Sequence, residues 1–384
     1  MSRPLDLFAA CQPGLEPLLA DELKHLGAAP TVQRGGAAFA GDVALAMRCA
    51  LWLGTASHLL IRIAEFRCRA LGELQRKAAA LPWRDWLRAT VPLAVHATAR
   101  GSRVYHTDAA AERVANAIAG ALGTAPRTAT STDDAAAHVH VRFQDDVCTL
   151  SLDATNTPLH RRGYRLDGRK APLREDLAHA LVLASGWTPD IPLLDPFCGS
   201  GTIAIEAAGR ALGLPPGRLR PPPLQHLCAF DAAVWETLRR ETRAARAPVA
   251  IAASDRDEGA IAAARANAER AGVAGAIAFA CAPLSAQPWL AGDGAPERGV
   301  LVTNPPFGLR VAKGQALLPL YQTLGHRAAR LGPGWRIALL AHDVRLARRT
   351  GLALHAAFTT RHGGVPVTAM IGAAAGAAVA PPTA

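Results

Sequence analysis

The chain has 384 residues, half of them hydrophobic, which is too long for one typical domain and apolar enough to build two or three cores. Its 42 Lys and Arg outnumber 31 Asp and Glu, and the formal net charge of +11 favours an anionic partner, nucleic acid first. Seven cysteines, an odd count with no C-x-x-C pair, and histidines without H-x-x-x-H spacing argue against a metal site and against a disulfide framework, and fit a reducing, cytoplasmic setting.

In chain order, residues 5–11 read as a strand and residues 15–26 as a helix with Leu15, Leu18, Leu19, Leu23 and Leu26 on one face. Gly27 stops that helix. A short strand follows at 35–40, a helix at 43–53 and a mixed apolar and charged strand at 58–66. The N-terminus carries Arg3 and Asp6 without a long apolar stretch, so no secretory leader is expected. No apolar run approaches the ~20 residues that span a bilayer, so no membrane partner is expected. Residues 83–89 suggest a short helix, 93–100 an alternating strand, and Asp108 the cap of a helix reaching Leu122. Two alternating strands at 138–143 and 147–153, joined across Gln144-Asp145-Asp146, form a hairpin signal.

Residues 160–174 change character. Arg161, Arg162, Arg165, Arg169, Lys170 and Arg174 stand against Asp167 alone, with Tyr164 among them. The run reads either as a solvated basic linker or as a hinge that grips phosphates, with Arg161, Arg162, Arg165 and Lys170 as the RNA contacts. Six such cations on single-stranded RNA phosphates would give log K a slope of roughly −4 against log salt.

From Leu173 onward strands and helices alternate, which implies a parallel sheet with helices on both faces. The first strand ends in Asp195-Pro196-Phe197-Cys198-Gly199-Ser200-Gly201-Thr202, a glycine turn running into a helix. Such a turn presents backbone N–H groups and a helix N-terminus to a ligand, and an acid at the strand end suits a cationic or hydroxyl-bearing one. S-adenosylmethionine fits that description. The same turn satisfies G-x-G-x-x-A, but a dinucleotide fold wants its ribose acid about 20 residues later, and the next strand-end acid, Asp255, lies beyond a Pro-rich insertion at 212–224. Asp255 is placed to accept both ribose hydroxyls, with Asp257 as the helix cap. Cys198 reads as a small residue packed in the turn rather than a nucleophile.

A fourth strand ends in Asn304-Pro305-Pro306-Phe307. Two prolines remove two N–H donors and leave a rim of acceptors, the Asn304 side-chain oxygen and the Pro305 carbonyl. That rim suits a planar exocyclic amine, whose lone pair it would aim at a methyl sulfonium. Phe307 is placed to stack on an unstacked base.

These two motifs resemble those of class I S-adenosylmethionine-dependent amino-methyltransferases. Gly14-Leu15-Glu16, Gly35-Gly36, Leu159-His160-Arg161-Arg162-Gly163-Tyr164-Arg165 and Ala171-Pro172-Leu173-Arg174-Glu175 further resemble the THUMP-containing 23S rRNA guanine-N2-methyltransferases. The resemblance implies an α/β fold, a Rossmann-like class I methyltransferase domain at 173–371, preceded by α+β ferredoxin-like (1–60) and THUMP (61–155) domains. A basic linker at 156–172 and a disordered tail at 372–384 complete the expected organisation. It implies methyl transfer to the N2 amine of a guanine in 23S rRNA or a large-subunit precursor, with S-adenosylmethionine as cofactor. Asp195, Gly199 and Gly201 would line its methionine end, with Phe197 and Thr202 in the same turn, and Asp255 would bind the ribose. Asn304 and Pro305 would hold the amine and Phe307 the base. The family's usual acid after the third strand is replaced here by Ala280-Cys281-Ala282-Pro283, and its common Tyr by Phe307. An adenine-N6 or tRNA guanine-N2 methyltransferase, and a non-catalytic RNA-binding ribosome-assembly protein, are the rival readings.

Overall fold

The computed structural model describes residues 4–130, 133, 135–155, 157–165, 172–241, 250–292, 294–306 and 317–374. The elements run β1 (Leu5–Cys11), α1 (Glu16–His25), β2 (Thr31–Gln33), β3 (Gly36–Gly41), α2 (Val43–Trp52), β4 (Ala56–Arg67), α3 (Leu71–Ala79), β5 (Leu93–Arg100), α4 (Thr107–Leu122), β6 (Ala137–Gln144) and β7 (Val147–Asp153). They continue α5 (Glu175–Ala184), β8 (Leu193–Asp195), α6 (Thr202–Ala211), α7 (Ala232–Arg240), β9 (Ile251–Asp255), α8 (Glu258–Arg270), β10 (Ile277–Cys281), α9 (Pro288–Ala291), β11 (Gly299–Thr303), α10 (Leu318–Ala329), β12 (Trp335–Ala341), α11 (Val344–Arg348), β13 (Leu354–His362) and β14 (Val365–Ala373).

The chain divides into two units, neither of them one continuous run. The first comprises Met1–Cys11, Leu19–Leu159 and Arg220–Glu241, and the second Gln12–Leu18, His160–Leu219 and Thr242–Ala384. In the first, one seven-stranded sheet has the order β2-β3-β1-β4-β7-β6-β5, and only the β5–β6 pair is parallel. Strand alternation sends Leu59, Ile61, Val139, Val141, Phe143, Leu150 and Leu152 into the core. The β6–β7 turn is Asp145-Asp146, both at positive φ (52° and 62°), the conformation a two-residue hairpin favours. Asp146 is held there as its carboxylate accepts from the Arg103 N–H (2.8 Å) and Arg69 Nε (2.9 Å).

Residues 220–241, expected within the methyltransferase stretch, pack in the first unit. The Leu224 N–H donates to the Ala154 carbonyl (2.7 Å), Leu87 bridges to Leu227, and Arg48 pairs with Glu241 at 3.1 Å. The prolines between 215 and 223 bar a helix there and turn the chain away from the strand–helix alternation on either side.

The second unit has a seven-stranded sheet of order β10-β9-β8-β11-β12-β14-β13. Its first five strands are parallel and β14 runs antiparallel to both β12 and β13. β11 is buried along its whole length, as a parallel strand covered on both faces must be. The chain builds outward from β8 in one direction through β9 and β10, then returns to β8's other side with β11. That reversal opens a crevice at the carboxyl ends of β8, β9 and β11. The sheet also outruns the expected tail: β14 ends at Ala373, and the N–H of buried Ala374 donates to the Trp335 carbonyl (2.8 Å). The rest of that expected tail, residues 375–384, lies outside the described residues.

Gly325 shows how tightly this unit packs. A Cβ built there would stand 1.8 Å from the Thr350 carbonyl oxygen, so only glycine lets α10 approach the backbone after α11. Gly325→Ala is expected to destabilise the protein by about 2 kcal/mol or more. The check is a lowered urea midpoint with an unchanged m value.

Candidate functional site

The glycine turn between β8 and α6 is held by a carboxylate at each of two strand ends. Asp255, closing β9, accepts the Gly199 N–H on one oxygen and the Asp257 N–H on the other, both at 3.0 Å. The Cys198 N–H donates to the Ser254 carbonyl at 3.0 Å, so the turn is stitched to β9 twice. Gly199 and Gly201 have positive φ (52° and 84°). A Cβ on Gly201 would press on the Ala264 Cβ at 3.0 Å, whereas one on Gly199 would meet no described atom. Gly201 therefore serves helix packing and Gly199 faces open space. Cys198 is buried, and burial raises its thiol far above its ordinary range, as expected of a packing residue.

Asp195, closing β8, is 1% exposed. Its Oδ1 accepts from the Thr303 hydroxyl (2.7 Å) and the Phe197 N–H (3.2 Å), while its Oδ2 is buried without a hydrogen-bond partner among the described residues. Burial pushes this carboxyl up to about 7; the bonds from Thr303 and Phe197 oppose the rise and the charge of Asp255 adds to it. The Asn304 Oδ1 is likewise buried without a partner among the described residues. Thr303 joins the two, since its hydroxyl binds Asp195 and its main chain leads into Asn304 and the buried Pro305. An unmatched buried acceptor costs about 1–3 kcal/mol, so two at one crevice mark a place that receives donors or a cation. These orphans and the open space at Gly199 fit a ligand with a cationic end.

Not every expected contact takes its expected form. The Phe197 ring packs against the apolar cluster that includes Leu301, Leu339 and Trp335. The Thr202 hydroxyl is occupied by the Arg165 guanidinium at 2.7 Å. Phe307 and Lys170 lie outside the described residues.

The basic run is corrected most. Arg162 leaves the set of RNA contacts, because it is 2% exposed and its guanidinium lies on the buried Glu206 carboxylate of α6 at 3.2 and 3.4 Å. His179 of α5 reaches the same carboxylate at 3.0 Å. Burial would raise Glu206, but the charge of Arg162 and the bond from His179 outweigh it and hold the carboxyl at about 2. Arg165 turns inward as well, donating to Thr202 and to the Leu173 carbonyl (3.0 Å) and pairing with Glu175 at 3.5 Å. Arg161 alone of the three is exposed. Glu206, His179, Thr303 and Asn267, whose amide donates to the Ser200 carbonyl (3.0 Å), escaped the sequence reading. The available signal was Glu206, one acid in the middle of a helix that is buried apart from Arg210, which demands a cation nearby.

Comparison with known proteins matches the family model described as RMKL-like, methyltransferase domain to residues 162–370, the RlmL ferredoxin-like domain to residues 6–60 and the THUMP domain to residues 68–153. The chain belongs to this family of THUMP-containing, RMKL-like methyltransferases. It is 38% identical to a ribosomal RNA large subunit methyltransferase K/L of Syntrophotalea carbinolica, over 94% of this chain and 53% of that protein. It therefore spans about half the length of that relative. It is 33% identical to a putative RNA methyltransferase of Synechocystis, slr0064, over 94% of each. Among solved structures, SMU.472, a putative methyltransferase complexed with SAH, superposes with a TM-score of 0.85 at 26% identity, over 97% of this chain and 98% of that one.

Asp195 sets a pH signature for the free protein. Folded, it keeps its proton to about pH 7, whereas the unfolded chain loses it near 4. Its contribution to stability is therefore present below about pH 4 and lost as pH rises through 7. Asp195→Asn is expected to flatten that part of the stability profile, measured by urea unfolding between pH 4 and 8.

Proposed function

We propose that the chain transfers a methyl group from S-adenosylmethionine to the exocyclic N2 amine of a guanine in 23S rRNA or a large-subunit precursor. The observation that carries this reading is the buried Asn304 Oδ1, which has no partner among the described residues and is followed by two prolines that offer no N–H. S-adenosylmethionine, when bound, supplies an electrophilic methyl group on a sulfonium centre. Asp195, with Gly199 and Gly201, would hold the cationic methionine end, and Asp255 would accept the ribose hydroxyls on the lone pairs left by its two backbone bonds. The stretch Ala280-Cys281-Ala282-Pro283, where the resemblance expects an acid, offers no carboxylate to the adenine, and its Ala282 N–H donates to the Asp255 carbonyl (2.9 Å).

The Asn304 oxygen and the Pro305 carbonyl accept the two hydrogens of a planar amine and turn its lone pair toward the methyl group. The gain is in positioning and in stabilising the charge that develops on nitrogen. The amine proton would become acidic as the N–C bond forms and pass to water, so no side chain is assigned as a base. Phe307 is assigned to stacking from the sequence alone. The names of the curated relatives and the THUMP match support rRNA as the polymer.

Mass mapping of modified nucleosides in cells with and without the protein tests the reading. N2-methylguanosine lost from 23S rRNA and restored on complementation is the expected result. N6-methyladenosine or a tRNA nucleoside changing instead would redirect it, and no change at all would make the chain a binding protein. Asn304→Ala is expected to lower turnover at least ~100-fold while leaving S-adenosylmethionine affinity within about twofold, by calorimetry and single-turnover assays.

A further inference from the structure

The first unit concentrates histidine on one face of its sheet. His58 (β4), His96 (β5) and His138 and His140 (β6) are four of the chain's thirteen histidines, and they form a row across neighbouring strands. In the row, β5 pairs with β6, β6 with β7, and β7 with β4, and His96 stands directly opposite His140. Asp153 of β7 sits at its centre. One carboxylate oxygen meets His58 Nδ1 at 2.8 Å and His140 Nε2 at 3.4 Å, while the other accepts the Thr155 N–H and hydroxyl. Burial opposes ionisation of Asp153, but the bonds from His140 and His58 hold its carboxyl well below its usual range. His96 Nε2 lies 3.0 Å from His138 Nδ1, the two rings stacked at 5.3 Å, and His138 closes the row on the Asp133 carbonyl (3.0 Å).

His58, His96 and His140 lie on the face opposite the fully buried Leu59, Val139, Val141 and Leu152 and are partly exposed, whereas His138 and Asp153 of the same row are buried. His58 and His140 each leave 32% of the side chain exposed. Cations of the same face extend the row. Arg142 and Arg100 are exposed, and Arg142 makes no ion pair among the described residues; Arg62 stacks over Phe8 at 4.3 Å, with Asp6 and Glu65 the acids nearest it. Metal binding does not explain the cluster, since no group of three or more His, Cys, Asp or Glu among the described residues is arranged to hold an ion.

A row of imidazoles around one compensating carboxylate is a store of positive charge that a polyanion can draw out. Burial and the neighbouring His140 and His138 lower the His96 pKa, so in the free protein it resists a proton. A phosphate brought against the row offsets that repulsion and draws a proton on.

We propose that this histidine-lined sheet face binds the sugar–phosphate backbone of RNA, and that His96 takes up a proton as it does so. The inference rests on the reading of RNA as substrate, but it concerns a surface in the first unit, not the methyl-transfer crevice. The bound state holds more protons than the free one, so affinity rises as pH falls through the imidazole range, by up to tenfold per pH unit for each proton gained. Arg142 contributes a permanent charge that is independent of pH.

The test is binding of a fluorescein-labelled 20-nucleotide single-stranded RNA to the full chain without cofactor, at pH 6.0 and 8.0 and constant ionic strength. Wild type is expected to bind at least ~10-fold more tightly at pH 6.0. The double variant H96Q/H140Q should lose most of that difference, with circular dichroism confirming that it is folded. Arg142→Ala should weaken binding at both pH values and reduce the salt slope by about 1. Equal pH dependence in H96Q/H140Q, or unchanged affinity and salt slope in Arg142→Ala, would overturn the proposal. Asn304→Ala separates the two readings: it should retain this proton-linked binding while losing methyl transfer. Linked binding by a wild-type protein that modifies no nucleoside would sink the methylation reading and leave the surface standing.

Discussion

One constraint governs the second unit: two carboxylates end adjacent strands beside a single glycine turn. Asp255 spends its charge on the backbone N–H groups that shape the turn. Asp195 is held more deeply, satisfied on one oxygen and unmatched on the other among the described residues. Burying a carboxyl beside another acid raises its pKa and costs stability unless a cation arrives. Among the described residues no cation offsets this cost at Asp195. Everything else at the crevice serves that arrangement, from the positive φ of the two glycines to the Thr303 hydroxyl that couples β8 to the Asn304-Pro305-Pro306 stretch.

Behind the turn the fold supplies a second layer of charge. Glu206 sits inside the buried helix α6 and is neutralised by Arg162 and His179. Arg165 reaches the first residue of that helix through Thr202, while Asn267 steadies Ser200. Arg270 donates to the Tyr164 carbonyl (2.7 Å) and so ties the basic run to α8. Charge that looked destined for a polymer thus braces the glycine turn. A buried ion pair of this kind gives little net stability but is costly to break, which makes it a device for fixing geometry.

The legible parts of the molecule were those where chemistry restricts residue type at one place. The strand-end acid with its glycine turn, and the amide followed by two prolines, were visible because few other arrangements use them. The parallel strands were legible from their unbroken apolar runs. β2 was not, because its three residues are all exposed and carry no pattern. α3 lacks a side-chain cap at Ala70, which removes the usual start signal. The β13–β14 hairpin contains a register shift between Ala356 and Phe358 that breaks the alternation. The roles of Arg162 and Arg165 were hidden for a different reason. A cation looks the same in sequence whether its partner is solvent, a phosphate, or a carboxylate 44 residues away.

The discontinuous units have a consequence for how the chain is made. The first unit lacks residues 220–241 until the ribosome has passed through the His160–Leu219 stretch of the second. At about 5–20 residues per second, the stretch from His160 to Leu219 takes several seconds to synthesise. During that interval Leu87 and the Ala154 carbonyl wait for Leu227 and the Leu224 N–H. The nascent protein thus passes through a stage in which its N-terminal portion has emerged without its last packing segment. The segment 220–241, entered through the Pro-rich insertion, is the strap that ends that stage.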